Sequence, residues 1–284
     1  MKPATRYSIG SCARVPLPFA EEMAREMCYR CFWPKNLCWC PTLQPMETRT
    51  RFAFLMHPKE FKEEKAGTGR LTHLCLPNSI IHMGKAFDIH EEVQEMLTDR
   101  RYHPVLLYPG RDALNLSETG RLLGAAPAEE GDAVEARLGE LQAALKHRTL
   151  LVVILDATWS GARKMLRLSP CLQRLPRIMF TPATPSRYVI KQQPQEGCLS
   201  TLEATHELLT VLERAGLDRY PLPEQLLGVF QRMQDYQLKC AADPNRPGYR
   251  HRAYKAPEER RKPRGRSGAR RENYLRLPVS GAME

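Results

Sequence analysis

The stretch "LLVVILDATW", residues 150–159, drives six aliphatic side chains straight into an aspartate. A strand with one wet face alternates apolar and polar residues. An unbroken Leu/Val/Ile run belongs to a strand covered on both faces, which is the condition of a parallel sheet lying between helices. Shorter runs of the same kind stand at RFAFLMH (51–57), VLLY (105–108), RIMF (177–180) and RYVI (187–190) and read as further strands.

Helical spacing fills the intervals. It is present in FDIHEEVQEML (87–97), in DAVEARLGELQAALKH (132–147), where Val134, Leu138, Leu141 and Leu145 share a face, and in STLEATHELLTVLERAG (200–216). The last ends at Gly216, and a fourth pattern covers PEQLLGVFQRMQDYQLK (223–239). Strands alternating with helices predict an α/β domain with a mainly parallel sheet.

Ligands of such sheets bind beyond the carboxyl ends of the strands, so the residues that follow each strand are the candidates for chemistry. They are His57 and Glu60 in HPKE, Gly110 after VLLY, Asp156, Thr158 and Trp159 after the longest run, and Ser200 beyond RYVI. No G-x-G-x-x-G follows a strand and no G-x-x-x-x-G-K-[ST] occurs, which removes the common dinucleotide and P-loop readings. H-E-x-x-H and G-x-S-x-G are also absent.

Upstream, "CYRCFWPKNLCWC" (28–40) packs four cysteines into thirteen positions. The opening residues lack the apolar core of a secretory signal and no long apolar run suits a membrane span, so a cytoplasmic location with reduced thiols is expected. Nine cysteines in all, five of them scattered, argue against disulfides. Cys28-x2-Cys31 and Cys38-x-Cys40 form two short-spaced pairs, with Pro34 and Asn36 suited to the turn between them. That spacing fits a structural Zn2+ held by four thiolates, the alternative being four unligated thiols. Four protein ligands leave a metal no open position, so the chemistry must lie elsewhere.

The chain of 284 residues suffices for one substantial core with a small appendage at each end. Three parts are expected: an N-terminal segment with the cysteine knuckle (1–50), an α/β domain (51–240) and a basic tail (241–284). The tail holds twelve Lys or Arg against five Asp or Glu, so +7 of the formal +11 charge sits there. Its Pro, Gly and charge content predicts disorder, as a solubilising segment or as a basic arm on nucleic acid.

Asp156-Ala157-Thr158-Trp159 resembles the Asp-x-Thr-Trp signature of DTW-domain proteins. The four cysteines, HPKE (57–60), LLYPG (106–110), SRY (186–188) and CLSTLEA (198–204) match that family's other blocks, in the same order, over residues 25–215. Two departures stand out. Phe32-Trp33-Pro34 occupies a place where family members more often carry Arg-Pro, and the 111–149 linker is longer than expected. The resemblance implies a SPOUT-like fold with a deep trefoil knot, S-adenosylmethionine as donor, and transfer of its 3-amino-3-carboxypropyl group to uridine N3 in tRNA with release of methylthioadenosine. Competing readings are an RNA methyltransferase of the same knotted class and a zinc-bearing RNA-binding protein without chemistry; oligomeric state is left open.

Under that resemblance Asp156 is the candidate base for the N3 proton; its alternatives are a contact to the donor or a cap for the following helix. Tyr108, Pro109, Gly110, Thr158, Trp159, Leu199, Ser200, Thr201 and Glu203 would face the donor, although Trp159 also suits a core. Ser200-x-x-Glu203 also reads as a capping box, and a helix amino terminus seats a carboxylate or phosphate. His57 and Glu60 either orient the target nucleotide or form a structural pair. Arg163, Lys164, Arg187 and Lys191 are candidate phosphate contacts, the first two alternatively a solvated helix face.

Overall fold

The computed structural model of the chain describes residues 26–63, 67–110, 112–118, 130–191 and 198–245. The basic tail beyond residue 245 lies outside them, and so do residues 111 and 119–129 of the 111–149 linker. Six strands form the sheet: β1 Arg51–Met56, β2 Ser79–Met83, β3 Tyr102–Leu107, β4 Leu114–Asn115, β5 Thr149–Asp156 and β6 Arg177–Met179. Their order is β2-β1-β5-β3-β6-β4, and every pairing is parallel. β5 is thus inserted between β1 and β3, and β6 between β3 and β4.

The unbroken apolar run has its expected cause. Val152 and Ile154 of β5 enter one core with Phe52 and Phe54 of β1. Leu151, Val153 and Leu155 enter a second core on the opposite face with Ala53 and Leu55. The first core is closed by α2 Thr68–Cys75, α7 Thr201–Arg214 and α8 Pro223–Ala242, and the second by α3 Glu91–Thr98, α5 Trp159–Arg167 and the short α6 Pro170–Gln173. Each large aliphatic side chain buried this way contributes about 1.5–3 kcal/mol. The remaining helices are α1 Pro58–Glu63 and α4 Glu130–Leu145.

One expected strand is absent. RYVI (187–190) runs as irregular chain because side chains take its amide donors: Arg187 N–H donates to Glu203 Oε1 at 2.7 Å and Val189 N–H to Gln234 Oε1 at 2.7 Å. Tyr188 packs edge-on against Phe230 with ring centroids 5.1 Å apart. With its donors satisfied the segment needs no ladder. The helix expected from Phe87 begins only at Glu91, since Asp88 Oδ1 accepts from Cys171 N–H at 3.0 Å and Phe87 N–H donates to Ser169 Oγ at 3.1 Å. Those bonds moor residues 87 and 88 to α6 instead of opening a helix.

The cysteine knuckle shares the first core. Trp33, buried at 4 % exposure, meets Trp39 edge-on at 5.0 Å and Tyr236 of α8 at 5.3 Å. Gln44 N–H donates to Gln225 Oε1 at 2.9 Å, pinning the following loop to the same helix.

Candidate active site and cysteine knuckle

Asp156 ends β5 at the carboxyl edge of the sheet, opposite Met56 of β1, and its carbonyl accepts from His57 N–H at 2.9 Å. Its side chain turns inward. Thr201, the first residue of α7, donates its hydroxyl to Oδ1 at 2.6 Å. On the other side the backbone of Gly69 in α2 presses so close that a Cβ there would lie 2.3 Å from Oδ2. Only glycine permits that approach. Burial pushes the carboxyl up to about 6; the Thr201 hydroxyl acts against it, Glu60 adds to it, and the cations Lys191 and Arg70 oppose it. A carboxylate titrating just below neutrality is suited to accepting a proton at physiological pH.

Glu60 and Lys191, separated by 131 residues, pair at 3.5 Å, and Glu60 retains only 12 % side-chain exposure. His57 does not pair with Glu60; its Nδ1 accepts from Lys59 N–H at 3.1 Å. Asp156 does not cap the following helix either. Thr158 does, its Oγ1 accepting from Gly161 N–H at 3.2 Å, which starts α5 at Trp159. Trp159 is half-buried and Lys164 exposed, while Arg163 is half-buried and acts electrostatically on the buried Tyr108. Tyr108 and Gly110 follow β3 as expected, and a Cβ on Gly110 would reach an Arg177 Nη at 3.0 Å.

The predicted capping box is fully formed. Ser200 Oγ accepts from Glu203 N–H at 3.3 Å, and Glu203 in turn accepts from Ser200 N–H at 2.9 Å. The same buried carboxylate takes the Ser186 hydroxyl at 2.9 Å and Arg187 N–H at 2.7 Å, so it knots the SRY and CLSTLEA blocks together. A cavity of about 210 Å³ beside α7 is lined by Leu199, Arg187, Glu203, His206 and Arg214 but not by Asp156. The structure therefore gathers Asp156, Thr201, Glu60, Lys191 and His57 at one edge, with Ser200, Glu203 and Arg187 one turn away. It adds Gly69 and Arg70, which no local pattern in the sequence announces.

In the knuckle, Cys28 Sγ lies 3.9 Å from Cys40 Sγ, and Cys31 Sγ lies 3.6 Å from Cys38 Sγ. All four sulfurs fall within 4.8 Å of one another. A tetrahedron with Zn–S of about 2.3 Å has S···S edges of about 3.8 Å, so the set fits one Zn2+. Backbone N–H groups of Cys31 and Arg30 hold the Cys28 thiol down to about 6, whereas burial pushes Cys40 up to about 12. Four thiolates would not coexist here without a cation to offset them. The other described cysteines, Cys75, Cys171, Cys198 and Cys240, are buried and form no disulfide.

The DTW domain family matches residues 25–238, from the knuckle to the end of α8. Curated relatives agree. A Drosophila melanogaster protein named tRNA-uridine aminocarboxypropyltransferase 2 is 30 % identical over 225 residues, covering 77 % of either chain. The protein of that name from Mus musculus is 29 % identical over 80 % of this chain and 68 % of its own. In Arabidopsis thaliana, tRNA-uridine aminocarboxypropyltransferase A is 24 % identical over 76 % of this chain and 82 % of its own. No solved structure matches the chain. Cysteine knuckle, strand-end aspartate and capped helix all lie inside the matched span, and the chain belongs to the DTW-domain family.

Proposed function

We propose that this chain is a tRNA-uridine aminocarboxypropyltransferase that moves the 3-amino-3-carboxypropyl group of S-adenosylmethionine to N3 of a uridine in tRNA. The observation that carries the reading is a buried carboxylate, Asp156, raised to about 6 at the carboxyl rim of a parallel sheet, inside a family match that spans most of the chain. Asp156 takes the N3 proton as the nitrogen attacks the γ-carbon of the donor's amino-acid arm. The C–S bond breaks with its electron pair going to sulfur, and neutral methylthioadenosine leaves. Thr201 holds the carboxylate in line by its hydrogen bond to Oδ1, and orientation of the arm rather than the methyl toward N3 selects the product.

The amino terminus of α7, at Leu199 and Thr201, offers amide donors to the donor's carboxylate, and Glu203 contributes by accepting the Ser200 N–H and so holding that turn rigid. Tyr108, Pro109 and Gly110 form the wall after β3, and Thr158 with the half-buried Trp159 offers a ring face for adenine or uracil. His57 orients the target, with the Glu60–Lys191 pair beside it. Arg163, Lys164 and Arg187 contact the tRNA backbone, and the twelve basic residues of the tail add a salt-sensitive attraction. Uridine N3 in a base pair is inaccessible, so the target base leaves its stack. The site of action is the cytoplasm, where thiols stay reduced and the knuckle holds its Zn2+. No helix among the described residues is long and apolar enough to cross a membrane.

The test is mass spectrometry of nucleosides from tRNA incubated with purified protein and S-adenosylmethionine. Aminocarboxypropyluridine with methylthioadenosine is expected. Methylated uridine with S-adenosylhomocysteine, or unchanged tRNA, refutes the assignment.

A further inference from the structure

We propose that Arg70 is a positioning residue through which the cysteine knuckle acts on Asp156. This rests on the reading of Asp156 as the base. Arg70 lies in the first turns of α2 at 7 % exposure. Its Nη2 donates to the Phe61 carbonyl at 2.7 Å, and among the described residues it makes no other hydrogen bond to the chain. Two aromatic rings hold the guanidinium: its Cζ lies 4.2 Å from the centroid of Phe32 and 4.8 Å from that of Phe61. The rings themselves meet edge-on at 6.3 Å, forming a corner into which the planar cation fits.

Phe32 is the unusual member. It sits between Cys31 and Trp33 at φ 59°, the sole non-glycine residue with positive φ among those described. Glycine or asparagine ordinarily fills such a position, because a Cβ is disfavoured there. The turn is closed by Phe32 N–H on the Cys28 carbonyl at 2.8 Å and Cys28 N–H on the Trp33 carbonyl at 2.7 Å. A bulky ring in a left-handed turn, 43 % exposed yet seated on a buried arginine, is explained by the ring's contact and not by the turn. Four ligated cysteines fix that turn, the turn fixes the ring, and the ring fixes the cation.

The cation lies within electrostatic reach of the candidate base. Arg70 follows Gly69, whose backbone touches the Asp156 carboxylate, and it interacts electrostatically with both Asp156 and Cys31. The groups acting on Asp156 are Thr201 from α7, Glu60 from α1, Lys191 from the 187–191 segment and Arg70 from α2. Lys191 is already paired with Glu60. Among the described residues Arg70 has no such carboxylate partner, and its charge is the one that the knuckle holds in position. Loss of that charge, or of the ring that orients it, makes the Asp156 carboxylate harder to form.

The experiment uses the full-length, metal-loaded protein and measures kcat for transfer against pH at saturating tRNA and donor, with zinc content measured in parallel. Arg70→Gln should move the acid limb of the profile upward by about half a pH unit or more. Arg70→Lys should return the limb part of the way to its wild-type position, since it keeps the charge but not the fork. Phe32→Ala should move the limb the same way at full zinc content, and Phe32→Tyr should leave it in place; this surface ring supplies the test if the Arg70 variants fail to fold. An unmoved limb in Arg70→Gln and Phe32→Ala, with activity lowered equally at all pH values, overturns the proposal. Asp156→Asn in the same assay separates the two levels. An inactive Asn variant beside unmoved limbs sinks the role of Arg70 alone, whereas an active one sinks the reading of Asp156 and this proposal with it.

Discussion

Replacing Asp156 by Asn should make the protein more resistant to unfolding at alkaline pH while removing its activity. The carboxyl ordinarily titrates at 3.8 and burial raises it to about 6. Two units correspond to about 3 kcal/mol of preference for the uncharged form. Since the folded state holds this proton more tightly than the unfolded chain, Asp156 favours the native state in acid and that contribution is lost as pH rises through about 6. Asparagine keeps an acceptor for Thr201 and the shape of the side chain but does not titrate. Its new amide donor costs about 1–3 kcal/mol if unsatisfied, so the absolute change in stability is small. The pH dependence is the larger signal: the stability of the Asn variant minus that of wild type should grow by about 1.5 kcal/mol between about pH 5 and pH 8. Urea unfolding of both proteins at the two pH values measures it. A gap that stays constant with pH would show that the carboxylate is not strained by burial. Transfer by the variant should fall by about 10²–10⁴, the usual worth of a positioned base.

Gly69→Ala pits two effects against each other. Alanine in a helix gains about 1 kcal/mol over glycine, but the added carbon would stand 2.3 Å from Asp156 Oδ2. Overpacking of that kind costs about 1–3 kcal/mol, so thermal stability should fall and kcat should drop by about tenfold or more; a stabilised, active variant would deny the close approach. Exchanging Cys28 and Cys38 for Ser should release one metal equivalent by elemental analysis and lower the melting temperature, because Trp33 and Trp39 of the knuckle belong to the main core. A metal-free wild type would defeat the Zn2+ assignment.

The run at 150–156 declares its strand because both sheet faces are covered next to it, and the Ser200/Glu203 pair declares its helix start because a capping box is local chemistry. β2 escaped notice for the converse reason: SIIHM is short, mixes Ser and His into its apolar residues, and lies at the sheet edge with little to bury. RYVI carries strand-like residues, yet the side chains of Glu203 and Gln234, drawn from distant helices, claim its amides. Within the site, Asp156 is legible from its place at a strand end. Its neighbours are not. Gly69 and Arg70 belong to a helix whose sequence, GTGRLTHLC, looks like a glycine-broken loop, and the Glu60–Lys191 contact joins residues 131 positions apart.

The order of the sheet also fixes an order of assembly. β1 pairs with β2 and β5, β3 pairs with β5 and β6, and β1 and β3 never touch as partners. Until residues 149–156 arrive, the first hundred residues can build only the β1–β2 ribbon, leaving a vacant slot with hydrogen-bonding edges on either side. Non-local parallel pairing of this kind is slow, and its open edges invite association with other chains. The segment that fills the slot is the one that delivers the aspartate, so the docking event that covers the inner strand edges also sets Asp156 at the rim, ready for Lys191 and Thr201 to close around it.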